Sequence, residues 1–288
     1  MSSTARAPTT RATAIGTVAV ALWSSLAVLT VLAGAIPPLQ TVAMTFAIGG
    51  LVGVIARRAA GRRDPLVVPP GAWVLSVAGL FGYHALYFAA FALAPAVEVN
   101  LVNYLWPLLI VLLAGLVGGQ RLGARHIAGA CLGLAGSALA IGAGAGFAAE
   151  HLAGYLCALA AAFTWAIYSV LNRRFGAVPS DAVAGFCLAT AALAVPAHLL
   201  FETSVMPDAR GFALILAMGL GPVGLAFYAW DHGTKHGDLR LLGVLSYLTP
   251  VLSTLWLVLA GRAPFGITLA LACTLVTVGA VLASRGRS

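Results

Sequence analysis

Apolar runs of about twenty residues follow one another along almost the whole chain, separated by short breaks of Gly, Pro, Arg and Asp. Ten can be delimited, at about 13–33, 37–56, 70–92, 98–118, 124–143, 152–171, 180–201, 209–230, 239–260 and 264–283. Each has the length that a helix needs to cross a hydrocarbon core about 30 Å thick. The pattern predicts an all-α integral membrane protein of ten transmembrane helices. The breaks carry turn chemistry: GAIPP closes the first run, and Pro37-Pro38 can open the second. No break is long enough for a soluble catalytic domain. The first run ends near Ala33-Gly34-Ala35, which has the look of a cleavage site. Its length, near 20 residues, favours a membrane span over the 7–15-residue core of a signal peptide.

Composition agrees. Hydrophobic residues make up 61% of the 288 and charged residues 8%, with a mean hydropathy of +1.00; a soluble domain carries about 25% charged residues. The net charge of +8 gathers at segment ends, so it reads as a topology signal and not as a nucleic-acid footprint. With the N-terminus inside, the inner segments hold Arg6, Arg11, Arg57, Arg58, Arg62, Arg63, Arg121, Arg125, Arg173, Arg174, Lys235, Arg240, Arg285 and Arg287. The outer segments hold only Arg210 and Arg262. Both termini are therefore expected in the cytoplasm of a bacterial inner membrane. Residues 1–12, rich in Ser, Thr, Ala, Pro and Arg, read as a disordered tail. Cys131, Cys157, Cys187 and Cys273 lie inside apolar runs and read as packing residues. No close Cys/His spacing suggests zinc, and no metal or other cofactor is expected.

The chain repeats itself. Trp23 maps to Trp165, Pro37 to Pro179, and Gly79 and Gly82 to Gly221 and Gly224, all 142 residues apart. Tyr104 and Pro107 map to Tyr247 and Pro250, Gly118 to Gly261, Gly123 to Gly266 and Gly136 to Gly279, all 143 apart. The halves are residues 13–143 and 152–284. Five spans per half is an odd number, so the second half enters the membrane from the opposite side. Inverted repeats of this kind build alternating-access transporters.

Pro107 and Pro250 lie near the middle of spans four and nine, within NYLWPLL and SYLTPVL. Each removes a helical hydrogen bond and is expected to kink its helix, freeing a carbonyl near Asn103 or Ser246. Matching broken helices in the two halves point to a substrate site. Tyr83, His84 and Tyr87 share a face of span three, close in sequence to Tyr104 and Trp106. Trp165, Tyr168 and Asn172 share a face of span six, with Trp23 in the matching place in span one. Tyr83, His84, Tyr87, Asn103, Tyr104, Trp106, Trp165, Tyr168, Tyr247 and Trp23 are thus the candidate substrate-binding residues. Interface belts compete for aromatic residues: Trp73 is assigned to a belt, and Trp230 is a candidate for one. An uncharged aromatic site suits a small substrate with an apolar or planar part and a polar head. Phosphorylated substrates are disfavoured, because no Arg lies deep in a span; Arg125, Arg210 and Arg240 stand at the edges of theirs. Glu98 is read as a solvated residue at the outer mouth of span four, and Asp231 and His232 as ending span eight. No acid precedes Asp64, which favours uniport over proton antiport. Spans five and ten, with Gly129, Gly133 and Gly136, read as scaffold or dimer packing, so a monomer or a homodimer is open.

Ten spans in two halves, with Tyr and Pro in spans four and nine and a glycine after them, resemble the EamA-type branch of the drug/metabolite transporter superfamily over residues 13–284. The stretch GYHALYFAAFALAPAVEVNLVNYLWPL is similar to that of its aromatic amino acid exporters. The resemblance implies an inner-membrane exporter of aromatic amino acids and related metabolites, with a central cavity between the halves. The glutamate usual in the family after span four is replaced by Gly119-Gln120-Arg121, so no inner-end salt bridge is expected through it. A proton-coupled multidrug exporter is the alternative within transport. A membrane enzyme or scaffold is disfavoured, since His126, His151, His232 and His236 are scattered and no nucleophile–base motif links them.

Overall fold

The computed structural model describes residues 6–33, 36–117, 122–141, 148–261 and 266–284. Gly34, Ala35, Gly118, Gly119, Gln120, Arg121, Arg262, Arg285 and Arg287 lie outside the described residues. The helices are α1 (Arg6–Ser24), α2 (Leu26–Ala33), α3 (Pro38–Ala59), α4 (Pro70–Leu93), α5 (Ala96–Asn103), α6 (Trp106–Leu116), α7 (Ala124–Ile141), α8 (Leu152–Leu171), α9 (Val183–Phe201), α10 (Ala209–Leu220), α11 (Ala226–His236), α12 (Leu239–Leu245), α13 (Leu248–Leu259) and α14 (Ile267–Ser284). There is no strand among the described residues. Seven helical stretches are long and apolar enough to cross a membrane, and shorter apolar helices follow at 239–253 and 270–283.

Helix ends obey local chemistry. Pro38 and Pro70 sit at the first positions of α3 and α4, where the missing N–H costs nothing. Asp208 caps α10 by accepting from the Gly211 N–H, and Asp238 caps α12 by accepting from the Arg240 and Leu241 N–H groups. Two expectations fail at helix ends. Residues 6–12, read as a disordered tail, form the first turns of α1 where they are described. Span eight, delimited at 230, continues as helix to His236. Hydropathy fell there because Asp231 and Lys235 enter, but the two charges pair at i, i+4 and remain buried.

The main packing partners are α3 with α9, α7 with α14, α4 with α8, and α1 with α11. Lipid offers no hydrophobic drive between helices, so close approach depends on small residues. Gly16 of α1 and Gly233 of α11 meet so closely that a Cβ on Gly16 would lie 3.0 Å from the Gly233 Cα. Gly129 and Gly279 do the same for α7 and α14: a Cβ on either would come within 2.6 Å of the other's carbonyl oxygen. Cys187 is buried, Cys157 and Cys273 are half-buried, and Cys131 is exposed, contrary to its reading as a packing residue; all four are free thiols.

The α3–α9 pair is fastened at both ends. At the end carrying most of the arginines, the basic end, Asp181 receives Arg57 Nε at 3.5 Å and Arg62 Nη1 at 3.1 Å. At the opposite end the Glu202 carboxylate accepts from the N–H groups of Leu39 and Gln40 at 2.9 and 3.1 Å, capping α3 where its dipole is positive. The Gln40 side chain also donates to the Val205 carbonyl and accepts from the Val205 N–H.

Candidate functional site

Spans four and nine are both broken. A two-residue turn at Tyr104-Leu105 separates α5 from α6, and another at Ser246-Tyr247 separates α12 from α13. Pro107 stands in the first turn of α6 and Pro250 in the first turn of α13. Pro107 has no N–H to offer the Asn103 carbonyl. In the second break the Thr249 N–H takes over, donating to the Ser246 carbonyl at 3.0 Å.

Beside the first break lies an aromatic assembly. Trp23, Trp106, Trp165 and Trp230 all touch one another. Their ring centroids are 5.1 Å apart for Trp23–Trp230, 5.5 Å for Trp23–Trp165, 5.9 Å for Trp106–Trp230 and 6.2–6.4 Å for the other pairs. The four rings come from α1, α6, α8 and α11, so both halves of the chain contribute. Phe227, one turn before Trp230, adds contacts to Trp23 and Trp165 and stacks on Phe46 of α3.

Tyrosines border this core. Tyr83 lies 5.3 Å from Trp165 and stacks on Tyr87 at 5.6 Å. The Asn103 amide donates to the Tyr83 hydroxyl at 3.2 Å, and the Tyr87 hydroxyl donates to Asn100 Oδ1 at 2.7 Å. These bonds tie α4 to α5 just before the break. Asn103 is buried, yet its Oδ1 finds no partner among the described residues. His84 Nδ1 lies 2.7 Å from the Leu80 carbonyl. A carbonyl can only accept, so Nδ1 carries the proton and Nε2 of the neutral ring keeps its lone pair. Tyr83, His84, Tyr87, Tyr104 and Trp23 are half-buried, whereas Trp106, Trp165 and Tyr168 are buried.

The structure gathers most of the predicted residues but not all. Tyr168 touches Trp165 at 5.2 Å and lies over Gly79, which has no Cβ to obstruct it. Tyr104 ends α5 at the break itself. Tyr247 sits apart, against Gly133 of α7, in a separate apolar cluster with Val111, Val251 and Val276. Trp230, a belt candidate, is fully buried, and its Nε1 donates to Ser169 Oγ at 3.0 Å. Trp73 is partly exposed, as a belt residue would be, with its ring against Phe186. Glu98 is only 7% exposed and so is not a solvated end residue. Phe46, Phe227 and Ser169 were missed. The i, i+3 spacing of Phe227 and Trp230 was the available signal.

A second polar cluster lies toward the basic end. Lys235 Nζ donates to Asp231 Oδ2 at 2.8 Å and to the Val178 carbonyl at 3.0 Å. Ser180 Oγ donates to Asp231 Oδ2 at 2.6 Å, and the Asn172 amide donates to Asp231 Oδ1 and Thr234 Oγ1, each at 3.0 Å. Asp231 is completely buried, and every oxygen of its carboxylate is engaged. Among the described residues no group of three or more His, Cys, Asp or Glu could hold a metal ion. Two cavities, of about 440 and 400 Å³, open at the basic end, and the aromatic assembly lines neither.

Comparison with known proteins matches this arrangement. The EamA-like transporter family model matches the chain twice, over residues 11–142 and 152–285. Aromatic amino acid exporter YddG of Ancylobacter novellus is 53% identical over 277 residues, covering 95% of this chain and 96% of that protein. The protein of the same name from Escherichia coli is 30% identical over 264 residues, covering 85% and 86%. A solved crystal structure superposes with a TM-score of 0.92 at 53% identity, covering 95% of this chain and 98% of the other.

Proposed function

The chain belongs to the EamA-like transporter family, and from that premise we propose that it exports amino acids, aromatic and other neutral ones, and related small metabolites across the bacterial inner membrane. The observation that carries this reading is the aromatic assembly at the broken span four. Four indoles, three tyrosines and His84 give planar faces, and Asn103 Oδ1 and His84 Nε2 give acceptors without a fixed charge. Ring faces and neutral acceptors suit an ammonium group attached to an apolar or aromatic side chain. The names of the relatives support the same substrate class.

Ten membrane spans in two inverted halves are part of the proposal. α7 and α14 have 18 residues each, about 27 Å at 1.5 Å per residue, close to the thickness of the hydrocarbon core. α12 and α13 together supply a further span. The packing supports the inversion: exchanging the halves turns the α4–α8 pair into the α11–α1 pair and returns α3–α9 and α7–α14 to themselves. The basic end then faces the cytoplasm, with both termini. The four tryptophans touch in this conformation, so a substrate crosses only when they part, as alternating access requires.

Transport is uniport down the substrate gradient on this reading, since the carboxylate beside Trp230, Asp231, is already engaged by Lys235, Ser180 and Asn172. The buried Asp231–Lys235 pair favours a second reading, proton-coupled export of drugs or metabolites. Purified protein in liposomes, loaded with labelled phenylalanine or leucine, separates the two. Uniport predicts efflux that an imposed pH gradient leaves unchanged. Absence of any substrate-dependent flux from folded protein would remove transport altogether.

A further inference from the structure

The two cavities at the basic end share Arg57 and Arg62 and so adjoin, and we read them together as one trough. Its deep part runs between α3 and the π turn Gly221–Leu225 that joins α10 to α11. Gly49 of α3 faces Gly219 and Gly224 across the floor, and the Tyr228 hydroxyl, which lies against Gly53 and donates to the Gly49 carbonyl at 3.2 Å, closes it. Exposed Val52, Leu220 and Leu225 form the walls and leave the trough open toward lipid. Its mouth is different. Arg57, Arg58, Arg62 and Arg63 line it, and Asp181, the one carboxylate lining it among the described residues, engages Arg57 and Arg62. Arg57 also donates to the Asp64 carbonyl. Among the described residues Arg58 and Arg63 have no carboxylate partner.

We propose that this trough is a binding site for one anionic phospholipid, with the phosphate on the arginines and an acyl chain on the glycine floor. The dimensions agree. Gly49 and Ala60, which line its two ends, are separated by about 16 Å along the helix axis at 1.5 Å per residue, the depth of one leaflet of a core about 30 Å thick. The charge agrees as well. A cationic mouth at the membrane surface above an apolar floor matches an anionic headgroup above its hydrocarbon. A soluble anion would leave the floor unused, and a zwitterionic lipid would bring a cation beside its phosphate, against Arg58 and Arg63. The site stands apart from the aromatic assembly, so its failure would leave the export reading untouched.

The test is native mass spectrometry of the full-length protein in detergent, titrated with phosphatidylglycerol or phosphatidylcholine of the same chains. Phosphatidylglycerol should bind one to one and more tightly. Arg58→Gln with Arg63→Gln should weaken it roughly thirtyfold, the effect of two surface charges, and leave phosphatidylcholine unchanged. Val52→Trp, at a lipid-facing wall, should weaken both lipids and serves if the double variant does not fold. Equal binding of the two lipids, or no effect of either variant, would overturn the proposal. So would complete displacement of phosphatidylglycerol by millimolar inorganic phosphate, which would mark a soluble-anion site.

Discussion

The indole nitrogen of Trp230 donates to the Ser169 hydroxyl at 3.0 Å, and neither residue is exposed. The bond joins α11 to α8 and fixes the ring that touches the other three tryptophans. Ser169→Ala leaves the indole N–H unpaired in an apolar interior. The expected cost is about 0.6–2 kcal/mol, read as a lower denaturation midpoint in detergent, together with weaker substrate flux. Equal midpoints would mean that the bond does not hold Trp230.

Lys235→Met strands the Asp231 carboxylate without its cation, which costs about 3–5 kcal/mol where a pair is fully buried. Adding Asp231→Asn removes the charge and keeps an oxygen that can accept from Asn172 and an amide that can donate to Ser180 Oγ. The double variant should therefore be more stable than Lys235→Met alone. Unfolding titrations of both single variants and the double measure the coupling directly.

Pro107→Ala restores a donor for the Asn103 carbonyl and favours one continuous helix through residues 96–116. Thermal stability should hold or rise while amino acid flux falls severalfold in liposomes. Unchanged flux would show that the break in span four is dispensable.

Gly16→Val should prevent α1 from reaching α11, because the added carbons meet the Gly233 backbone. Little folded protein is expected. Gly266→Ala is the control: among the described residues nothing lies within 4 Å of its would-be Cβ, so yield and midpoint should match the parent. Size-exclusion profiles of the two variants decide this.

Much of this architecture was legible because the relevant signals are local. Apolar run length marks a span, and Pro107 and Pro250 mark interruptions that fall at Tyr104-Leu105 and Ser246-Tyr247. Helical spacing placed Tyr83, His84 and Tyr87 together. What could not be read depends on neighbours distant in sequence. Trp230 looks like a belt residue by its place near the end of an apolar run, and only packing against Trp23, Trp106 and Trp165 shows it to be core. Asp231 and Lys235 lowered the local hydropathy and seemed to end a span, whereas Val178, Ser180 and Asn172 solvate them from another segment. Tyr247 followed the repeat faithfully, but its partner Gly133 drew it into a different cluster.

Gln40 and Glu202 at one face, and Arg57, Arg62 and Asp181 at the other, moor α3 to the second half of the chain. A column clamped at top and bottom is an axle. On the proposed alternating-access reading, α3 and α9 therefore move as one body.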